Sequence, residues 1–468
     1  MRVRFWGTRG SIAKPGPRTV RYGGNTSCVE VRGDDGTLLV LDCGTGAHEL
    51  GFHLMAHEPK PIRGHMLIGH THWDHIQGMP FFTPLFVPGN EWDVYAPHGL
   101  VQELRDTLAA QMDYTFFPVA LHQLGATIRY HDLLEGHFSL GGVEVRTQYL
   151  NHPALTLGYR LEADGCSVVY STDHEPHSRQ LALGEECLHG RADRLVNPEE
   201  RRHLDFIAGA DLLIHDTQYT AAEYPARLGW GHSTLEYVVE MALAAKVKRL
   251  ALFHHDPMRD DAAVDELVQR ARQHAEREGS SIEIFAAAEG QVLELSTGAS
   301  PGTVRDTGPL REARRKLPAV PRGTAQAPCV VLGLPEGPVR SLLVGALEDE
   351  GLRVVLADGD DALLDAVQVQ VPSLIILRAG DPASDPLAFS RRLRADARAI
   401  SVIPVFVVAE SEDPELIAAG AEAGISDWLL LPFSGPYART KVRAWLLRDR
   451  DDWDARPTSG DVSGVRSS

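Results

Sequence analysis

Residues 70–75 read HTHWDH and place three imidazoles and a carboxylate, His70, His72, Asp74 and His75, within six positions. A short apolar run precedes them, so His70 and His72 lie two apart on an extended segment and point the same way. Asp74 and His75 follow where the chain turns into its next element. Burying four such groups together without a cation costs several kcal/mol, and the grouping points to a metal site built from nitrogen and oxygen donors. Further donors follow in order: His152 after VEVRTQYL, Asp173 after SVVYST, and His254 after RLALF. The set is large enough for two cations. His70, His72 and His152 would hold one; Asp74, His75 and His254 would hold the other; the Asp173 carboxylate can bridge them. Such a pair lowers the pKa of a bridging water or hydroxide toward neutrality and neutralises charge that develops on a phosphorus under attack. Asp74 is also a candidate to accept a proton from that nucleophile. A mixed His/carboxylate set favours zinc and leaves manganese or iron(II) open.

Each donor sits just past an apolar, strand-like run, and loops at strand ends are where scaffolds gather catalytic groups. The runs VRFWG, SCVEVR, TLLVLD, HMLIG, VEVRTQYL, SVVYST, DLLIHD, RLALFH and IEIFAA read as strands, and TLEYVVEMALAAK (234–246) as a helix. Residues 1–295 therefore form one predicted α/β unit. Residues 296–327, rich in Pro, Gly, Ala and Arg and without a period, read as a linker. From 328 to 448 the runs CVVLGL, RVVLAD, SLIILR, VIPVFVVA and DWLLL predict five buried parallel strands separated by helices. Residues 449–468 read as a disordered tail.

The 468 residues allow two or three domains, and 43% hydrophobic with 24% charged residues is a soluble globular composition. A formal charge of -18 disfavours an extended nucleic-acid footprint or an anionic membrane surface. No apolar run approaches the roughly 20 residues that span a bilayer, and MRVRFWGTRG does not read as a signal peptide. The five cysteines show no CxxC spacing. These features predict a cytoplasmic protein with reduced thiols.

LDCGTG (41–46), HTHWDH, NHP (151–153), TDH (172–174) and FHHDP (253–257) together resemble the metallo-β-lactamase fold superfamily of metallohydrolases, across roughly residues 1–295. The resemblance implies a four-layered αββα sandwich with a dinuclear site at one edge. It also implies that Asp42 orients the ligand loop rather than binding metal. True β-lactamases use a cysteine ligand; here Asp173 stands at the bridging position. The stretch from DLLIHDTQY through GWGHST to FHHDP (211–257) is similar to the phosphodiesterase branch that includes the tRNA 3′-processing endonuclease RNase Z. HDTQ (215–218) stands where that branch has His-Glu-Ala-Thr, and GHST (231–234) matches its Gly-His-Ser-Thr. The likeness implies that His232 contacts a phosphate oxygen or protonates the leaving group, with His215 and Asp216 supporting it. Ser233 or Thr234 would cap the following helix. RNase Z carries a long basic arm between its third and fourth motifs, whereas only 20 residues separate His152 from Asp173. The expected substrate is therefore a small phosphodiester or cyclic nucleotide. A lactone or thioester hydrolase, or a non-catalytic regulatory scaffold, is the alternative. The aromatic and proline-rich segments within 80–124 are candidate pocket walls or core, Trp73 is expected to pack beneath the site, and His174 and His177 to face solvent, with His255 adjoining the ligands.

Residues 328–448 resemble the receiver domain of response regulators, a (βα)5 flavodoxin-like fold. The positions that carry its chemistry are changed: the first-strand acidic pair is reduced to Glu336, the acceptor position is Arg378, the Ser/Thr position is Ala409 and the lysine position is Leu431. Asp381 is the only nearby substitute. Phosphoryl transfer lacks its acceptor and magnesium ligands, which predicts a pseudo-receiver serving self-association or protein docking.

Overall fold

The computed structural model describes residues 1–98, 104–185, 188, 195, 197–296, 328–395 and 402–448. The predicted linker, Ser296 apart, and the predicted tail lie outside these residues. Two seven-stranded sheets build the N-terminal unit. The first runs, in spatial order, Val292–Glu294, Arg2–Gly7, Cys28–Arg32, Leu38–Leu41, Arg63–Leu67, Glu91–Pro97 and Thr127–Leu133. The second runs Glu283–Ala286, Arg249–Phe253, Leu212–Asp216, Cys166–Ser171, Thr156–Ala163, Val143–Leu150 and Gly136–Leu140. In each sheet one half is parallel and the other antiparallel.

The strands pack face to face because their inner side chains are apolar. Val3, Phe5, Val29, Leu39 and Leu41 meet Val145, Leu161, Val168 and Tyr170 in one buried cluster. Full burial of each such side chain contributes about 1.5–3 kcal/mol. The outer face of the first sheet is covered by the helix Ala47–His57, whose Leu50 and Leu54 pack near Val40 and Met66. The helices Leu235–Ala244 and Asp261–Arg277 cover the second through Val238, Met241, Val264 and Leu267. This is the expected αββα order. Thr234 caps its helix by accepting from the Tyr237 amide at 3.3 Å, so one of the two anticipated hydroxyls does the capping.

The predicted strands are all present, most within a residue or two of their expected ends; VIPVFVVA is shortened to Val405–Ala409. Several others carry too weak a pattern to be read. Thr127–Leu133 is polar along much of its length at a sheet edge. Thr156–Ala163 contains Gly158 and charged residues, yet is mostly buried between two neighbours.

In the C-terminal unit five parallel strands take the order Arg353–Leu356, Cys329–Gly333, Leu374–Arg378, Val405–Ala409 and Asp427–Leu430. Numbered along this unit, that is 2-1-3-4-5, the flavodoxin-like order shared by receiver domains. Leu363, Val367, Phe389 and Ile417 come from helices on one face, while Leu343, Leu347, Ala438 and Val442 come from Pro338–Glu348 and Gly435–Arg448 on the other. The last helix also reaches the N-terminal unit: Ala444 and Leu447 join the cluster between its two sheets. Cys28, Cys43, Cys166 and Cys329 are free and buried. No helix among the described residues is long and apolar enough to cross a membrane.

Gly435–Arg448 is fixed to its own sheet by a buried ion pair. Lys441 Nζ donates to Asp427 Oδ1 at 2.7 Å, and Trp445 Nε1 donates to Asp427 Oδ2 at 3.0 Å. Removing one partner of a buried pair strands the other charge. Asp427→Ala is expected to destabilise this unit by about 3–5 kcal/mol, read as a lowered urea midpoint by tryptophan fluorescence.

Candidate metal centre

The donors converge because strands of both sheets end at one edge. Asp42 follows Leu38–Leu41, His70 follows Arg63–Leu67, His152 follows Val143–Leu150, Asp173 follows Cys166–Ser171 and His254 follows Arg249–Phe253. Three of these turns are sharp: Asp42, Asp173 and His254 have φ of 58°, 61° and 57°, as does Ser11 beside them at 61°. Side chains adopt this left-handed region at a cost of about 1–3 kcal/mol each, and such strain collects at functional sites.

The structure brings all seven predicted donors together in two groups. His70, His72, His152 and Asp173 offer atoms within 4.8 Å of one another, and so do Asp74, His75, Asp173 and His254. The Asp173 carboxylate faces both. Its Oδ2 lies 3.6 Å from His70 Nε2 and 3.7 Å from His152 Nε2. Its Oδ1 lies 3.4 Å from His75 Nε2 and 3.1 Å from His254 Nε2. Asp74 Oδ2 stands 3.3 Å from His75 Nε2 and 3.1 Å from His254 Nε2.

Three imidazoles are held by the nitrogen that faces away from this centre. His75 Nδ1 donates to Asp42 Oδ2 at 2.7 Å, His152 Nδ1 to the Gly231 carbonyl at 2.9 Å, and His254 Nδ1 to Gln218 Oε1 at 3.0 Å. Such partners set the tautomer and ring orientation of metal-binding histidines. Asp42 is itself clamped by Tyr170 Oη and the Gly69 amide, both donating at 2.7 Å. The Ser11 amide donates to Asp74 Oδ2 at 2.7 Å. Gly231, at φ +87°, has no room for a side chain: a Cβ there would meet His152 Nδ1 at 2.0 Å.

The electrostatics fit cation binding. Both His70 nitrogens and His75 Nε2 are buried without a hydrogen-bond partner. Burial lowers the pKa of His70 and His72, and takes His152 down to about 3, keeping these rings neutral as ligands must be. Burial opposes ionisation of Asp74 and Asp173, but His75 and His254 overcome it and hold both well below the usual carboxylate range. Burial likewise opposes a charge on His75, and Asp74, Asp173 and Asp42 outweigh it and raise its pKa. The donor set suits two divalent cations.

His232 borders the centre, its ring centroid 5.0 Å from that of His254 and 5.4 Å from that of His152. Its Nδ1 lies 3.1 Å from Asp216 Oδ2. Asp216, His232 and His254 are also close enough to form a third donor group. The Asp216 oxygens, however, already accept from the amides of Gln218 and Ser233 at 3.0 and 3.1 Å, which suits an orienting carboxylate. Burial lowers the His232 pKa, but Asp216, Asp173 and Asp74 overcome that and raise it to about 9. His215 turns away from the centre, its Nε2 3.1 Å from His203 Nε2.

Two expectations are corrected. Trp73 does not pack beneath the site: the short helix Trp73–Ile76 turns Asp74, His75 and Ile76 inward and leaves Trp73 75% exposed. His72 is exposed as well, so the centre opens here. His174 is buried, accepting from the Asn151 amide at 3.2 Å with its Nε2 3.1 Å from Tyr237 Oη, and His177 is half-buried. His255 is buried with Nε2 2.9 Å from the Ala287 carbonyl. Ser11, Tyr170, Gln218 and Glu175 were not anticipated. Gln218 closes the HDTQ motif and was legible there; Tyr170 reads as an ordinary strand aromatic.

Residues 37–255 match the family described as Beta-lactamase superfamily domain. The ribonuclease Z of Thermoplasma acidophilum is 26% identical over 306 residues, 58% of this chain and 91% of the relative. The short form of human tRNase Z superposes with a TM-score of 0.42 at 20% identity, covering 63% of this chain and 99% of its own length. A chemotaxis response regulator, CheY4 of Vibrio cholerae, superposes with a TM-score of 0.24 at 19% identity, covering 26% of this chain and 98% of its own. The N-terminal unit has the metallo-β-lactamase fold. The C-terminal unit has the 2-1-3-4-5 flavodoxin-like strand order.

Asp42→Ala removes the acceptor that orients His75. It is expected to weaken cation binding by about 10–100-fold, measured by competition with a chromophoric chelator.

Proposed function

We propose that the chain is a dinuclear metal-dependent phosphodiesterase acting on a small phosphodiester such as a cyclic nucleotide. His70, His72 and His152 would hold one cation and Asp74, His75 and His254 the other, with the Asp173 carboxylate facing both groups. Bound there, two divalent cations, zinc first among the candidates, supply Lewis acidity at a phosphoryl group and lower the pKa of water. Asp74, held by the Ser11 amide, takes the proton of the attacking water. His232, oriented by Asp216, protonates the departing oxygen.

The observation that carries this reading is the Asp216–His232 pair beside the two donor groups. A cationic imidazole there suits an anionic phosphoryl centre and an alkoxide leaving group better than a neutral acyl oxygen. Likeness to ribonuclease Z supports phosphoester chemistry. A tRNA-sized substrate is disfavoured because Thr156–Ala163 and Cys166–Ser171, which fill the space between His152 and Asp173, pair as a hairpin closed by Asp164 and Gly165. That leaves no arm to grip one. Exposed Trp73 and Trp230 flank the motifs of the centre, and the Arg227 guanidinium lies 4.9 Å from the Trp230 ring centre. Such faces suit stacking of a nucleobase.

The test is a hydrolysis panel on metal-reconstituted protein with bis-nitrophenyl phosphate, cyclic nucleotides, a lactone and a thioester. Phosphodiester cleavage is expected, and activity on the acyl substrates alone overturns the reading. His232→Ala is expected to lower kcat by about 10²–10⁴-fold while metal content stays at two per chain.

The receiver-like unit is read as phosphorylation-incompetent. Arg378 ends its third strand and pairs with Glu410, so a guanidinium stands where an acceptor carboxylate is needed. Incubation with acetyl phosphate and magnesium is expected to leave the mass of the intact protein unchanged; a gain of one phosphoryl group on Asp381 refutes it.

A further inference from the structure

The last helix of the C-terminal unit, Gly435–Arg448, lies against the turn that carries His152. Thr440, buried, donates from Oγ1 to the Pro153 carbonyl at 2.6 Å. Tyr437, one turn earlier, lies beside the Asn151 side chain. The residues on either side of His152 thus both meet one helix of the other unit. Asn151, Thr440 and Lys441 line a narrow cavity there together with His152 and His177.

The same helix is anchored on both flanks. Arg448 donates to Glu199 at 2.7 Å and lies 3.3 Å from Glu135. Arg179, just beyond Asp173 in the chain, donates to the carbonyls of Leu430 and Leu431 at 2.6 Å and of Pro432 at 3.2 Å. A second route reaches His152 from behind. Asn151 Nδ2 donates to the Glu175 carbonyl at 2.8 Å. The Glu175 carboxylate in turn accepts from the amides of Gly229 and Gly231 at 2.8 Å, and the Gly231 carbonyl holds His152 Nδ1.

We propose that the C-terminal unit is a positioning element of the metal centre, with Thr440 and Tyr437 holding the Asn151–Pro153 turn so that His152 is presented to the His70–His72–Asp173 group. This rests on the dinuclear reading above. Thr440 and Tyr437 are positioning residues and touch neither substrate nor cation. Among the described residues no hydrogen bond or ion pair joins Asp74, His75 or His254 to this helix, so loosening the helix changes one cation site and spares the other.

The test uses the full-length chain and cobalt(II) as the probe. Stepwise titration of metal-free protein, followed by d–d absorption with a competing chelator, reads the two binding steps separately without any substrate. Thr440→Val is expected to weaken one step by about tenfold or more, leaving the other within twofold. Thr440→Ser, which keeps the hydroxyl, is expected to restore the wild-type titration. Tyr437→Phe, at a half-buried position, tests the same turn where Thr440→Val folds poorly, and is expected to weaken the same step. Two unchanged steps in both variants overturn the proposal, and so does equal weakening of both steps, which marks general loosening. A wild-type chain that takes up no cobalt overturns the dinuclear reading itself, and the proposal with it.

Discussion

Two carboxylates, Asp74 and Asp173, are buried at the edge where two sheets meet, and the imidazoles around them carry too little charge to neutralise them. Burial removes water as a solvating partner, so the carboxylates need positive charge within a few ångströms. His75 and His232 are driven to hold protons beside them, while His70, His72 and His152 are driven to stay neutral. A divalent cation resolves this conflict because it supplies charge to the oxygens and uses the neutral nitrogens as donors. The surrounding fold is arranged to keep that conflict in place. Strands deliver the groups, left-handed turns at Asp42, Asp173 and His254 aim them, and Asp42, Gln218 and the Gly231 carbonyl lock their rings.

The ligand skeleton was legible because each donor follows a run of apolar residues long enough to be a strand. HTHWDH also packs four donors into six positions, a density that core packing does not produce. The groups that orient the donors were less legible. Tyr170 alternates into the inter-sheet core like any aromatic on a strand, and nothing local distinguishes its hydroxyl. Ser11 acts through its amide, which every residue has. Trp73 shows the limit of neighbour-based inference: set among the candidate donors, it points outward because a helical turn cannot bury all of its faces. The polar edge strand Thr127–Leu133 was missed for a related reason, since one partner strand and partial exposure leave little hydrophobic alternation to read.

The C-terminal unit gathers charged residues where its parallel strands end. Its sheet order places Glu336, Asp358 and Asp381 around one crevice with Arg340. Arg340 donates to Asp358 Oδ1 at 2.9 Å and to the Leu334 carbonyl, filling with a guanidinium a place where the acidic residues would otherwise face one another. The apolar strands behind this crevice, with Val330, Ile375 and Val407 fully buried, do not depend on which groups line it. Fold and chemistry are therefore separable in this unit, whereas in the N-terminal unit the strained turns tie them together.

The contact between the units adds directed interactions to the apolar seat of Ala444 and Leu447. Arg448 bridges Glu135 and Glu199, and Arg179 grips three successive carbonyls. Buried ion pairs add little net stability compared with apolar packing of the same volume, but removing either partner is costly. Their main effect here is geometric. A slip of one residue along Gly435–Arg448 shifts the helix by about 1.5 Å, enough to part Arg448 from Glu199 and Thr440 from Pro153 together. The helix is thus held in one register, and the turn that bears His152 is held with it. An apolar interface of equal area would tolerate sliding; this one resists it at the point where a ligand must be placed to within a fraction of an ångström.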